Sequence, residues 1–187
     1  ERLVGEKLFN YAGMALLVVA RHAMAFLLGW EVMAIAAFFL VATEDHRVEC
    51  RRAGFVYLIA THVGTLVLFG LFSWWRAATG SFAFEPVARD ALPASVQNGL
   101  FLLVLVGFGL KAGVMPLHVW LPSAHASSPS HVSALLSGIV IKMGVYGLVR
   151  FGSLLPPPPI AGGAVVLALG VASGILGVAF ALAQHDL

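Results

Sequence analysis

Apolar runs long enough to cross a bilayer recur along almost the whole chain, at positions 8–20, 23–42, 54–75, 98–117, 131–151 and 160–183. A helix needs about 20 such residues to cross roughly 30 Å of hydrocarbon. The pattern therefore predicts an all-α membrane protein with about six transmembrane helices. The first run is short, which leaves it either a truncated span or an interfacial helix. Composition agrees, with 60% hydrophobic residues and 11% charged ones, a mean hydropathy of +0.94, and far more apolar content than a soluble domain carries. A short cleavable signal peptide is not the reading, because the first strongly apolar run joins a continuous series of spans.

Several function classes fall away at once. The net charge is only +2, and without a basic cluster or interleaved aromatics there is no case for nucleic-acid binding. A single cysteine, Cys50, excludes an intrachain disulfide and any iron–sulfur cluster built from this chain alone. The sequence has no G-x-G-x-x-G loop, P-loop, H-E-x-x-H or nucleophile elbow, so neither a nucleotide nor any other cofactor is expected.

Polar stretches at 43–52, 76–97 and 116–130 separate the runs, and the proline run 156–159 predicts a stiff connector at a structural boundary. With the ends placed on alternate sides, Arg2, Lys7, Arg47, Arg51 and Arg52 fall on one face, and Arg21, Arg76, Arg89 and Arg150 on the other. The excess of five against four puts loops 43–52 and 116–130 in the cytoplasm. The chain starts on Glu1 and ends at Gln184–Leu187 straight after an apolar run, which reads as a fragment of a longer protein.

Three charges lie near the middle of apolar runs: Glu31, Lys111 and Lys142. Each costs roughly 2.5–3.5 kcal/mol at the bilayer centre on insertion scales, and such residues mark ion pathways by default. Glu31 must be protonated or paired with a cation. Lys111 sits between glycines, with Pro116 five residues on, which predicts an interrupted helix with free carbonyls. A Glu31–Lys111 pair is expected, a static salt bridge being the structural alternative. His131, Leu135 and Gly138 precede Lys142 at helical spacing, so His131 at a channel mouth and Lys142 at its centre would make a relay. His62 lies mid-span and suits either a helix-to-helix hydrogen bond or proton conduction. His118 and His125 belong to the Pro-rich turn, and without cysteine or carboxylate support no metal site is expected. Ser133, Ser137, Gly138, Gly144 and Gly147 predict close helix packing.

The stretch Gly107-Phe-Gly-Leu-Lys-Ala-Gly-Val-Met-Pro-Leu-His-Val-Trp-Leu-Pro-Ser-Ala-His125, the segment Pro129 to Arg150 and Gly29-Trp-Glu-Val-Met33 together resemble a known family. It is the antiporter-like subunits of respiratory complex I, formate hydrogenlyase-type hydrogenases and Mrp-type cation/proton antiporters. The Ser130-His131 pair and the Lys-Ala-Gly-x-x-Pro-Leu-His wording are most similar to the hydrogenase branch. The resemblance implies two inverted five-helix repeats, with 1–155 holding most of the first and 160–187 opening the second. By the same resemblance Glu31 matches the essential glutamate of the fifth helix, Lys111 the lysine of the broken seventh, and Lys142 the central lysine of the eighth. In the family these form a half-channel and a switchable ion pair. The charged residue of the twelfth helix has no counterpart in these residues.

The resulting expectation is a non-catalytic, proton-translocating subunit of a hydrogenase- or NADH:quinone oxidoreductase-type complex, multi-pass in a bacterial inner membrane. Its partners are further membrane and peripheral subunits, protons and the lipid bilayer, and any redox step belongs to those subunits. A stand-alone Mrp-type antiporter exchanging Na⁺ for protons, and a scaffold whose charges only lock helices, are the competing readings.

Overall fold

A computed structural model describes residues 2–88, 90–157 and 160–183. Among them the chain is helical: α1 (Arg2–Val19), α2 (Ala23–Val41), α3 (Val48–Thr79), α4 (Ala94–Ala112), α5 (Leu121–Ser127), α6 (Ser130–Leu135), α7 (Ile141–Leu154) and α8 (Ile160–Ala183), with a π-helical turn over Leu136–Val140 fusing α6 to α7. Five helices are long and apolar enough to span a membrane: Ala23–Val41, Val48–Thr79, Ala94–Ala112, Ser130–Leu154 and Gly162–Ala183. The chain is an integral, multi-pass membrane protein. The short first run lies in α1, which is not among the five spans. α1 packs instead along α2, where a Cβ on Gly13 would lie 2.6 Å from the Met33 backbone nitrogen.

Local chemistry sets the helix limits. His22 caps α2, its ring nitrogen accepting the Met24 N–H at 3.3 Å. α3 takes in residues on both sides of the 54–75 run and reaches 32 residues. The added turns carry Glu49, Arg51, Arg52 and Arg76, charged groups suited to the headgroup ends of a span, with Glu49 in the first turn and Arg76 in the last as the helix dipole favours. The 98–117 run is cut at Ala112, because Gly113 adopts φ +69° and reverses the chain. That break, expected from the glycines and Pro116, opens a non-helical stretch before α5.

The two ends of the bundle are built differently. At one, loops cross-stitch: Ala23 N–H donates to Phe82 O at 2.9 Å, Phe84 to Arg21 O at 3.0 Å and Val87 to Leu154 O at 2.8 Å. Arg150 on α7 donates there to the carbonyls of Leu17, Val18 and Ala20, closing the end of α1. At the other, the Cys50 thiol donates to Ser127 O at 3.1 Å, which puts loops 43–52 and 116–130 together as the alternating topology requires. Against the cross-stitched end, Phe26, Phe72, Phe84, Phe108 and Phe151 pack ring to ring, with Phe84 and Phe151 only 4.7 Å apart. Of the proline run, residues 158 and 159 lie outside the described residues, as do Arg89 from the charge count and the 184–187 tail.

Candidate functional site

α3 presents Tyr57, Thr61 and Thr65 at i, i+4 and i+8, so they stack one turn apart on one face. The hydroxyl of Thr61 donates to Tyr57 O at 3.0 Å, and that of Thr65 lies 3.1 Å from Thr61 O. Thr65 also lies 2.5 Å from Glu31 Oε1 across on α2. One hydroxyl proton serves one acceptor at a time, and the charge-assisted bond to the carboxylate is the stronger.

The second carboxylate oxygen, Oε2, lies 3.4 Å from His62 Nε2. His62 Nδ1 is 3.0 Å from Leu58 O, a contact that requires the proton on Nδ1. A neutral ring then turns a lone pair on Nε2 towards the carboxylate, so the contact is attractive only when one proton sits on His62 or Glu31. The two side chains are 47% and 25% exposed.

Lys111 is one residue from the end of α4, where the helix carbonyls favour a cation. The residue is 2% exposed. Its ammonium donates to the Tyr57 hydroxyl at 2.6 Å and lies 6.0 Å from the ring of Trp30. Trp120 fixes the break by donating Nε1–H to Leu110 O at 2.8 Å and stands edge-on to Tyr57 at 5.2 Å. The expected Glu31–Lys111 pair is not a direct ion pair in this structure. Thr65 and His62 hold the carboxylate, and Tyr57 holds the ammonium.

Lys142 and His131 are not drawn into this cluster. His131 and Lys142 are both exposed on the α6–α7 span. The helical spacing that would align them is broken by the π turn at Leu136–Val140. One residue inserted into a helix rotates every later position by about 100°, which turns His131 and Lys142 onto different faces. His125 Nδ1 lies 2.7 Å from Ser133 Oγ, tying α5 to α6, and burial lowers its pKa below the usual histidine value. His118 has a buried Nδ1 with no hydrogen-bond partner and stacks on Phe180 of α8. Among the described residues no three His, Cys, Asp or Glu side chains gather closely enough to hold a metal ion.

Sequence reasoning missed Tyr57, Thr61 and Thr65. Their signal was present as three hydroxyl side chains at four-residue spacing inside an apolar run, opposite the helix carrying Glu31.

Residues 20–187 match the family model described as NADH:quinone oxidoreductase/Mrp antiporter, TM. An uncharacterised protein of Mycobacterium tuberculosis strain H37Rv is 42% identical over 94% of this chain and 27% of its own length. Hydrogenase-4 component B of Escherichia coli K12 is 36% identical over 94% of this chain and 26% of its own. The chain thus spans about a quarter of the length of these relatives. Among solved structures, a chain of the archaeal membrane-bound sulfane sulfur reductase, a respiratory membrane complex, shares the fold with a TM-score of 0.77 at 23% identity, over 90% of this chain and 34% of that one. The buried lysine at a broken helix, the carboxylate on the neighbouring span and the match across residues 20–187 converge: this chain belongs to the NADH:quinone oxidoreductase/Mrp antiporter transmembrane family.

Proposed function

We propose that the chain is part of a proton-translocating membrane subunit of a hydrogenase- or NADH:quinone oxidoreductase-type complex in a bacterial inner membrane. Glu31, Lys111 and Lys142 form its midplane relay, and His62 and His131 exchange protons with it. The observation that carries this reading is Lys111, a lysine 2% exposed inside an apolar bundle whose hydrogen-bond partner is a neutral hydroxyl. A buried ion pair would hold such a lysine charged, whereas a hydroxyl can accept from an ammonium and donate to an amine. Lys111 can therefore gain and lose a proton without losing its contact. Residues 1–155 make up most of one repeat and 160–187 open the next; further membrane and peripheral subunits complete the path and carry out the redox chemistry.

The test is proton uptake in vesicles holding the full-length parent assembly, comparing Lys111→Ala, Lys142→Ala and Glu31→Gln with the unaltered protein at matched assembly. Collapse of uptake is expected in all three. Retained uptake in all three would make these residues structural ties. Na⁺-dependent uptake without any redox partner would assign the Mrp-type antiporter function instead.

A further inference from the structure

Around Glu31 and Lys111 the two halves of one potential ion pair are each held by a different residue of the same helix. Tyr57 takes the ammonium at 2.6 Å and Thr65 the carboxylate at 2.5 Å, eight residues apart on α3. Eight residues span about 12 Å of helix, so α3 sets the two charges at separate levels along its axis. Thr61 lies between them, its hydroxyl bonded to the Tyr57 carbonyl within the same helix.

We propose that α3 is the latch of the split state, and that Tyr57 is a positioning residue holding Lys111 where it can release its proton. The inference rests on the relay reading above and adds what keeps the pair open. The carboxylate of Glu31 only accepts hydrogen bonds when ionised, so contact with it fixes Lys111 as an ammonium. The Tyr57 hydroxyl accepts from the ammonium and, once the proton has gone to the next acceptor, donates to the free amine. Glu31 is meanwhile satisfied by Thr65, with His62 Nε2 3.4 Å from its other oxygen. Neither charge is abandoned when the two part, which lowers the cost of breaking a buried pair.

Removing either hydroxyl removes one side of the latch. Without the Tyr57 hydroxyl, the buried Lys111 nitrogen loses its hydrogen-bonding oxygen, and the Glu31 carboxylate becomes its best partner. Without the Thr65 hydroxyl, Glu31 loses its shortest bond and moves to the same end state.

The experiment uses the full-length parent assembly in vesicles, with proton uptake and infrared difference spectra recorded together. The Glu31 carboxylate band is identified as the one lost in Glu31→Gln. Tyr57→Phe is expected to slow uptake about tenfold or more, the loss equivalent to one charge-assisted hydrogen bond, and to shift the Glu31 band to its ion-paired position. Thr65→Val shifts the band the same way from the opposite side, and Thr65→Ser, which keeps the hydroxyl, restores it. The band reads the partner of Glu31 directly, so a merely structural Tyr57 leaves it in place. If Lys111→Ala abolishes uptake while Tyr57→Phe transports at the unaltered rate, or while neither Tyr57→Phe nor Thr65→Val moves the band, the latch is wrong and the relay stands. If Lys111→Ala and Glu31→Gln leave uptake intact, relay and latch fall together.

Discussion

Gly144 decides how closely α7 approaches α4, and replacing it with alanine forces the two helices apart. A Cβ there would lie 2.4 Å from Ala112 N, 2.8 Å from Ala112 Cα and 2.8 Å from Phe108 O, where ordinary contact begins at 3.4 Å. All three are atoms of the α4 backbone, which cannot rotate aside as a side chain would. The helices must separate by about 1 Å, against an overpacking cost of about 2–3 kcal/mol, or a factor of 30 or more in the folded-to-unfolded ratio. Ala112 adjoins Lys111, and Gly144 is two residues from Lys142, so the gap opens where the two lysine-bearing helices meet. A misplacement near 1 Å can cost on the order of 10²-fold in a geometry-dependent step. The assay pairs denaturant unfolding of the purified parent protein with proton uptake. Gly138→Ala is the control, because nothing lies within 4 Å of its added Cβ and it should match or slightly exceed the unaltered protein. If Gly144→Ala unfolds within about 0.5 kcal/mol of the unaltered protein, the close contact of α4 and α7 is not what holds this region together.

Three further outcomes are expected. Arg150→Met keeps the stem but removes donors to the Leu17, Val18 and Ala20 carbonyls; losing charged hydrogen bonds should cost about 3 kcal/mol and raise proteolysis between α1 and α2. Ser173→Ala removes the acceptor of the Met115 N–H at 3.0 Å, so hydrogen exchange at Met115 should quicken about five- to tenfold, as loss of roughly 1 kcal/mol predicts. His125 has a lowered pKa in the folded chain, so the unfolded state binds its proton first as pH falls. Its contribution is complete above the ordinary histidine value of about 6.5 and is lost below it. The unaltered protein should therefore lose stability below that pH more steeply than His125→Gln, as unfolding midpoints across pH 5–7.5 would report.

The break after Lys111 was legible in the sequence because glycine and proline act locally: Gly113 takes a positive φ that other residues resist, and Pro116 cannot extend the helix. The charged interior positions were legible for a similar reason, since the cost of a buried charge belongs to the residue itself. Partner choice was not. An ammonium next to a carboxylate and an ammonium next to a tyrosine hydroxyl look alike until the register of α3 against α2 and α4 is known. The π turn was also missed: the Ser137-Gly138 pair inside it weakens a helix locally but does not by itself specify a wide turn. Hydropathy located the α3 run but missed its hydroxyl face, since averaging over a window dilutes Tyr57, Thr61 and Thr65 among apolar neighbours.

The cross-stitched end of the bundle turns α4 into a lever. Its first residues come after the loop pinned by the Phe82, Phe84 and Val87 bonds, and Lys111 lies seventeen residues further along, an arm of about 26 Å. Pivoting there by about 5° carries the ammonium about 2 Å, while the fulcrum itself scarcely moves. Two ångströms is the difference between a hydrogen bond and none. Phe108 rides on the same arm and stacks on Phe151 at 5.1 Å, so any such rocking carries the aromatic core with it, and the mechanical advantage comes from loops that carry none of the relay's charges.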